Sequence, residues 1–352
     1  MKSARPSRCL PTIAVALVMA SLVVSAAPLT VKLATFAPAN STWHKALMEM
    51  GAAWARVTEG RVTLTVYAGG TQGSETVTVK LMRPGVGQLQ AALLMLPGLS
   101  EIDNAVDVFG IPFFFDSDEE LWYVVDKLSP LLEQRLEAKG FHVLNWGHGG
   151  WIQLFSKRQI RTLNELKHAK LFTTEGNDRM VQWYKVNGFQ PVALSANDIP
   201  AQLKIRTGMI DTAPSPPYGA LVLQFFRDAA YMLDIRVGPL LGATVITTDA
   251  WNKIAGADQT KVRAAAAAME QTLRVDVGKL DASSIAEMQK RGLTVTKVEG
   301  AALAEFRSTA EKLAATMRGA MVPADIYDLA LQERNAFRQA RSVSEKREHA
   351  PK

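Results

Sequence analysis

Arg61-Val62-Thr63-Leu64-Thr65-Val66-Tyr67-Ala68-Gly69-Gly70-Thr71-Gln72-Gly73-Ser74-Glu75 sets apolar Val62, Leu64 and Val66 against polar Thr63 and Thr65. That alternation is the mark of a half-buried strand, and it runs through a glycine turn into a helix over Ser74 to Met82. Upstream the same order is repeated. Val31 to Phe36 reads as a short buried strand, and Pro38-Ala39-Asn40-Ser41 offers a helix cap at Asn40 or Ser41. Trp43, Leu47, Met50, Trp54 and Val57 then recur at helical spacing. The stripe reads as core packing, with Trp43 close enough to the helix start to face a cleft. Strands separated by helices imply an α/β architecture with largely parallel sheets.

Downstream the alternation continues. Strands are read at Leu89 to Leu96, Phe141 to Trp146, Ile152 to Ser156, Leu171 to Thr174, Gln190 to Leu194 and Ile210 to Ala213. Helices are read at Glu119 to Lys139, Asp178 to Asn187 and Asp198 to Thr207, and Gly147-His148-Gly149-Gly150 as a flexible turn, a hinge or ligand-facing loop. Asp249 to Lys290, with the alanine run 264–268, reads as one long helix bent near Gly278. Gly319 to Leu331 closes the packed part, and Arg338 to Lys352 reads as a solvated charged tail.

At 352 residues with 48% hydrophobic content, the chain exceeds what one core of about 250 to 300 residues holds, so two lobes are expected. The N-terminus has a basic start (Lys2, Arg5, Arg8), an apolar run from Leu10 to Val24, and small residues at Ser25, Ala26 and Ala27. This is a secretory signal peptide pattern with cleavage after Ala26. The rival, a retained membrane anchor, needs about 20 apolar residues, and this run is shorter and holds Pro11. Cys9, the single cysteine, lies before the apolar run, so disulfides and cysteine-based metal sites are not organising devices. The formal charge of +6 includes those three basic residues. Without them 37 basic residues face 34 acidic ones, a net of +3 that gives nucleic-acid binding no support.

Catalytic constellations with recognisable spacing are missing: no Gly-x-Ser-x-Gly, no His-Glu-x-x-His and no Walker loop. His44, His142, His148, His168 and His349 are scattered, so no metal and no cofactor is expected. A secreted two-lobed chain without such signatures reads as a binder and not an enzyme, its ligand in the cleft between lobes.

The order of motifs from Val31 to about Lys253 resembles the dicarboxylate-receptor type of solute-binding protein that serves tripartite ATP-independent periplasmic (TRAP) transporters. The carrying residues are Thr58-Glu59-Gly60-Arg61-Val62, Tyr67-Ala68-Gly69-Gly70-Thr71-Gln72-Gly73-Ser74-Glu75, Ile111-Pro112-Phe113-Phe114-Phe115, Gly140-Phe141-His142-Val143-Leu144, Ile160-Arg161-Thr162-Leu163-Asn164-Glu165-Leu166-Lys167 and Gln202-Leu203-Lys204-Ile205-Arg206-Thr207-Gly208-Met209-Ile210-Asp211. The resemblance implies two α/β lobes joined by crossing strands, a ligand cleft between them, a long helix spanning both, a periplasmic location, and delivery of a small-molecule ligand to membrane permease subunits. The expected division is lobe I at 27–152 plus 239–280, lobe II at 153–238 plus 281–337, and a tail at 338–352.

The departures from that family bear on the ligand. Receptors of the family typically hold a carboxylate with an arginine in a Gly-x-Lys-Ile-Arg-Val strand, and here Ala169-Lys170-Leu171-Phe172-Thr173 puts Phe172 at its position. A second frequent arginine, in Gly-Trp-Arg, corresponds to Ile152 in Gly150-Trp151-Ile152, and the family's Asn before proline becomes Ser215. Losing a bidentate guanidinium makes an unpaired buried carboxylate costly. Trp43, Glu75, Trp146, Trp151, Phe172, Thr174 and Ser215 are therefore the candidate ligand-binding residues, with an apolar or aromatic ligand and a helical-repeat periplasmic partner as the expectation. The alternative has these aromatics in the core and an arginine from elsewhere, such as Arg179 or Arg206, pairing an organic acid.

Overall fold

The computed structural model describes residues 28–348. The signal-peptide reading, with its cleavage site and Cys9, lies outside the described residues. In chain order the first half runs β1 (Leu29–Thr35), α1 (Thr42–Val57), β2 (Val62–Tyr67), α2 (Glu75–Met82), β3 (Ala91–Met95), α3 (Leu96–Ser100), a 3-10 turn Asn104–Gly110, and α4 (Asp118–Glu137). Then come β4 (Phe141–Ser156), α5 (Leu163–Lys167), β5 (Lys170–Thr174), α6 (Asp178–Val186), β6 (Gln190–Leu194), α7 (Ile199–Lys204), β7 (Thr212–Ser215) and α8 (Pro217–Val222). The chain closes with β8 (Tyr231–Thr247), α9 (Thr248–Trp251), α10 (Gly256–Lys290), β9 (Thr294–Thr296), α11 (Gly300–Met317) and α12 (Ala324–Glu348).

The nine strands of the described residues form one sheet in the order β2-β1-β3-β8-β4-β7-β5-β6, with β9 beside β8. β1 pairs parallel with β2 and β3, and β5 parallel with β6 and β7, so each end of the sheet is an α/β unit. The central pair differs. β4 and β8 run antiparallel from Phe141↔Thr247 to Ser156↔Tyr231 and belong to both halves. Their register slips between Val143 and Asn145, His148 and Trp151, and Ile152 and Leu154.

Two strand expectations are corrected by this pair. Gly147 to Gly150 is not a loop between two strands but the bulged middle of one 16-residue strand. Gly150 holds a positive φ of 107°, which an unbranched backbone accepts, and the bulge bends the strand without ending it. The 17-residue β8 is absent from the strands read in the sequence, because Gly238, Pro239 and Gly242 break its apolar pattern.

Helices bury one face each. In α1 three members of the stripe, Leu47, Met50 and Trp54, are buried with Leu33, Leu93 and Ile246 of the sheet and Val262 of α10, while Trp43 packs half-buried against them and Val57 is half-buried outside that cluster. Ser41 caps it by accepting the His44 N–H. The long helix is shorter than read, since α9 and a break at Asn252 to Ala255 precede α10. Arg61 grips the first turn of α10 through Asp258, at 2.8 and 3.0 Å. The closing segment 318–337, expected with lobe II, packs Met321, Val322, Ile326, Tyr327 and Ala330 into the core of α4 and the 3-10 turn. The expected tail from Arg338 continues α12 as helix to Glu348, and Arg338 bridges Asp116 and buried Glu120. Among the described residues no helix is long and apolar enough to cross a membrane, and no three His, Cys, Asp or Glu are grouped to hold a metal.

At Gly242 a Cβ would stand 2.4 Å from the Leu94 carbonyl oxygen of β3, so only glycine allows this strand pair its spacing. Gly242→Ala is expected to lower stability by about 1–3 kcal/mol in urea unfolding. Gly256→Ala, where a Cβ meets nothing, should stay within about 0.5 kcal/mol of wild type.

Candidate ligand cleft

In α/β units the functional crevice lies beyond the carboxyl ends of the parallel strands. Here those ends are Thr35, Tyr67 and Met95 on one side and Thr174, Leu194 and Ser215 on the other. The segments that follow them meet across a cleft. The hydroxyl of Tyr218, in the first turn of α8, accepts from the Thr42 N–H and Oγ1 at 3.3 Å each. The Tyr218 ring stands edge-on to Trp43, with centroids 5.2 Å apart. Asn197 lies so close to Gly70 that a Cβ there would be 2.8 Å from its Nδ2 and 3.0 Å from the Phe36 ring. At Gly176 a Cβ would be 2.7 Å from Thr76 Oγ1. Arg179 of α6 donates to Ser100 Oγ at 3.0 Å and stands 3.6 Å from Asp107 Oδ2. Tyr218, Asn197, Gly176 and Arg179 of the second half thus each meet a residue of the first half across the cleft.

The wall on the α2 side is held by Glu75. Its two carboxylate oxygens accept the backbone N–H groups of Met95 at 2.8 Å and Gly98 at 2.9 Å, fixing the turn from β3 into α3. Burial pushes its carboxyl up to about 7, against the pull of those two donors. Burial likewise pushes Asp107 up to about 6, while Ser100 and Arg179 draw it back.

The candidate residues separate into three groups. Trp43 lies in the cleft contact, and Thr174 and Ser215 stand at strand ends that face it, Ser215 donating to the Pro216 carbonyl at 2.9 Å. Glu75 supports a wall from inside it. Trp146 and Trp151 are buried against α4, their indole N–H groups donating to Glu133 and Asp118, each at 3.0 Å. Phe172 is packed with Phe155, Ile199, Leu203 and Phe225 in the core of the second half. The structure therefore does not gather Trp146, Trp151 and Phe172 into one aromatic pocket: the alternation of each strand turns them toward helices and away from the cleft.

Sequence reading passed over Tyr218, Asn197 and Gln153. Gln153 pairs in register with Ser215, and its buried Oε1 has no hydrogen-bond partner. A usable signal existed for Asn197 and Tyr218, because both follow the carboxyl end of a parallel strand. Of the two arginines named as relocated cations, Arg206 is exposed beyond α7, whereas Arg179 spans the cleft.

The model of the bacterial extracellular solute-binding proteins, family 7 (DctP), matches residues 33–319. The chain is similar to a solute-binding protein of Chromohalobacter salexigens, 26% identical over 278 residues, 72% of this chain and 80% of that one. It is similar to the 2,3-diketo-L-gulonate-binding periplasmic protein YiaO of Escherichia coli, 26% identical over 173 residues, 48% of this chain and about half (51%) of that protein. The fold is similar to that of a TRAP periplasmic solute-binding protein from Xanthobacter autotrophicus with bound β-D-galacturonate. The TM-score is 0.77 at 20% identity, over 87% of this chain and 99% of that one.

Glu75 makes the cleft wall sensitive to pH. In the unfolded chain a glutamate titrates near its ordinary value of about 4.3, well below the value of about 7 in the folded protein. Between these values the folded chain keeps a proton that the unfolded chain has lost, so this group's contribution falls as pH rises through the window. Glu75→Gln cannot ionise. Its stability relative to wild type is expected to rise between pH 4.5 and 7.5, by on the order of 3 kcal/mol in parallel urea titrations. A difference that stays constant across this range would contradict the assignment.

Proposed function

The chain belongs to the bacterial extracellular solute-binding proteins of family 7, the receptors of TRAP transporters, and on that premise we propose that it captures a small hydroxylated organic acid by closing its cleft. From the periplasm it then presents that acid to membrane permease subunits. The family is one of receptors and not of enzymes, and a bound molecule is handed on unchanged.

The contact of Arg179 across the cleft carries the choice of an acid. Its guanidinium comes from the first turn of α6 in the second half and meets Ser100 and Asp107 of the first. Its side chain keeps 46% of its exposure, so donors remain for a carboxylate entering beside it. In this reading the cation stands on α6 and not on the strand where receptors of the family typically have it, and a charge-assisted pair is the strongest single interaction available to such a ligand. Tyr218, Thr42, Asn197 and Thr76 add hydroxyl and amide groups on both walls, which suit a polyol chain. The sugar acids named for YiaO and for the Xanthobacter protein fit that chemistry.

An apolar ligand has less to recommend it. Of the residues such a pocket would draw on, Trp43, Trp146, Trp151, Phe172 and Ser215, the side chains of Trp146, Trp151 and Phe172 already fill cores or donate to carboxylates. The helical-repeat partner expected with such a ligand has no role in the acid reading, which needs only the permease.

Calorimetric titration of residues 27–352 with D-galacturonate, D-glucuronate and 2,3-diketo-L-gulonate is expected to show binding by at least one of them. Aromatic and lipid-like compounds are expected to give none. Arg179→Ala should weaken that binding about 10- to 100-fold, the worth of a hydrogen bond to a charged group. Full affinity in the variant would remove Arg179 from the site, and binding of apolar compounds alone would overturn the ligand class.

A further inference from the structure

The bulged middle of β4 meets the long helix at a point too tight for any residue but glycine. A Cβ on Gly150 would be 2.6 Å from Asp281 Oδ2, 2.9 Å from Oδ1 and 2.9 Å from Pro216 Cβ. Three elements converge there: the crossing strand, α10, and the turn leading into α8. Asp281 uses both oxygens to bind the other two, accepting the Trp151 N–H at 3.1 Å and the Tyr218 N–H at 3.4 Å. Arg236 of β8 packs over the Trp151 ring at 5.4 Å on the same site.

Tyr218 is also the residue whose hydroxyl crosses the cleft to Thr42 and whose ring touches Trp43. One carboxylate on α10 therefore holds the backbone of the hinge strand and the backbone of the residue that makes a closing contact. We infer that Asp281 is a positioning residue for closure, locking the first turn of α8 to the hinge so that the Tyr218 hydroxyl lands on the N-terminus of α1. Asp281 touches no ligand in this scheme. It acts through Tyr218, and without it α8 loses its fixed angle to β4 while the sheet and the helices keep their cores. The inference rests on the closure proposed above, so its test reads the grip of Asp281 and the closure separately.

The grip is read by amide hydrogen exchange in residues 27–352 without ligand. In Asp281→Ala the Trp151 and Tyr218 amides should exchange at least tenfold faster relative to flanking β4 amides, and Asp281→Asn, with one accepting oxygen, should restore part of the protection. Closure is read by the distance between spin labels at Met48→Cys on α1 and Val186→Cys on α6, both exposed, in residues 27–352, which hold no other cysteine. The distances are recorded with D-galacturonate or whichever sugar acid calorimetry shows to bind.

Asp281→Ala and Tyr218→Phe should each lower the closed-to-open ratio about three- to tenfold, the worth of a hydrogen bond. The double variant should fall no further than the stronger single one, because both act on one contact. Unchanged exchange at both amides in Asp281→Ala would overturn the inference. So would additive losses in the double variant, or a closed-to-open ratio that ignores Asp281 but responds to Tyr218→Phe.

Discussion

Everything in this molecule hangs on the pairing of β4 with β8. Two strands of 16 and 17 residues run antiparallel through the whole sheet, and each carries one half of the protein at either end. A backbone ladder of that length cannot be cut without exposing a row of buried N–H and C=O groups, so the halves cannot separate. Any motion between them has to bend this pair. The three register slips are where the ladder is least regular, since a bulge leaves local groups out of it and raises the twist. Parallel strands flank this pair on both sides and end at one crevice. The cleft, its helix starts and its closing contacts are consequences of that layout.

Within it, close approach and polar chemistry are linked. Among the residues that meet the opposite half are Gly70 and Gly176, where a side chain would collide, and Tyr218 and Arg179, whose side chains reach across. Behind them stand carboxylates that bind backbone amides: Glu75 under the β3 to α3 turn, and Asp281 under the hinge and α8. A carboxylate with two acceptors can tie two amides from different segments, which no neutral side chain of that size does as well. The raised Glu75 carboxyl follows from burying the group that performs this task.

The α/β class was legible because Val62, Leu64 and Val66 alternate and Leu47, Met50 and Trp54 recur at helical spacing, so local pattern and tertiary burial agree. The crossing strands were harder. Gly147 to Gly150 has the composition of a loop, and only its pairing with Leu241 and Gly242 makes it strand. Nothing local to Gly238-Pro239 announces a strand either, since the ladder is supplied by β4 from nearly a hundred residues away. At the site, residue type was a poor guide. Trp146, Trp151 and Phe172 are the kind of side chains that line apolar pockets, yet the side of the strand on which each lies sends them to α4 or to the second core. Sequence offers Arg179 and Arg206 alike as cations, and only the fold brings Arg179 to Ser100 and Asp107.

The central claim is that one continuous sheet closes as two halves on a small acid. Small-angle X-ray scattering of residues 27–352, without ligand and saturated with a sugar acid already shown to bind, tests it most directly. A smaller radius of gyration in the bound sample, matching the closed structure, is the result expected. Identical scattering from the free and bound protein would mean that the halves do not move, and the account of capture by closure would be wrong.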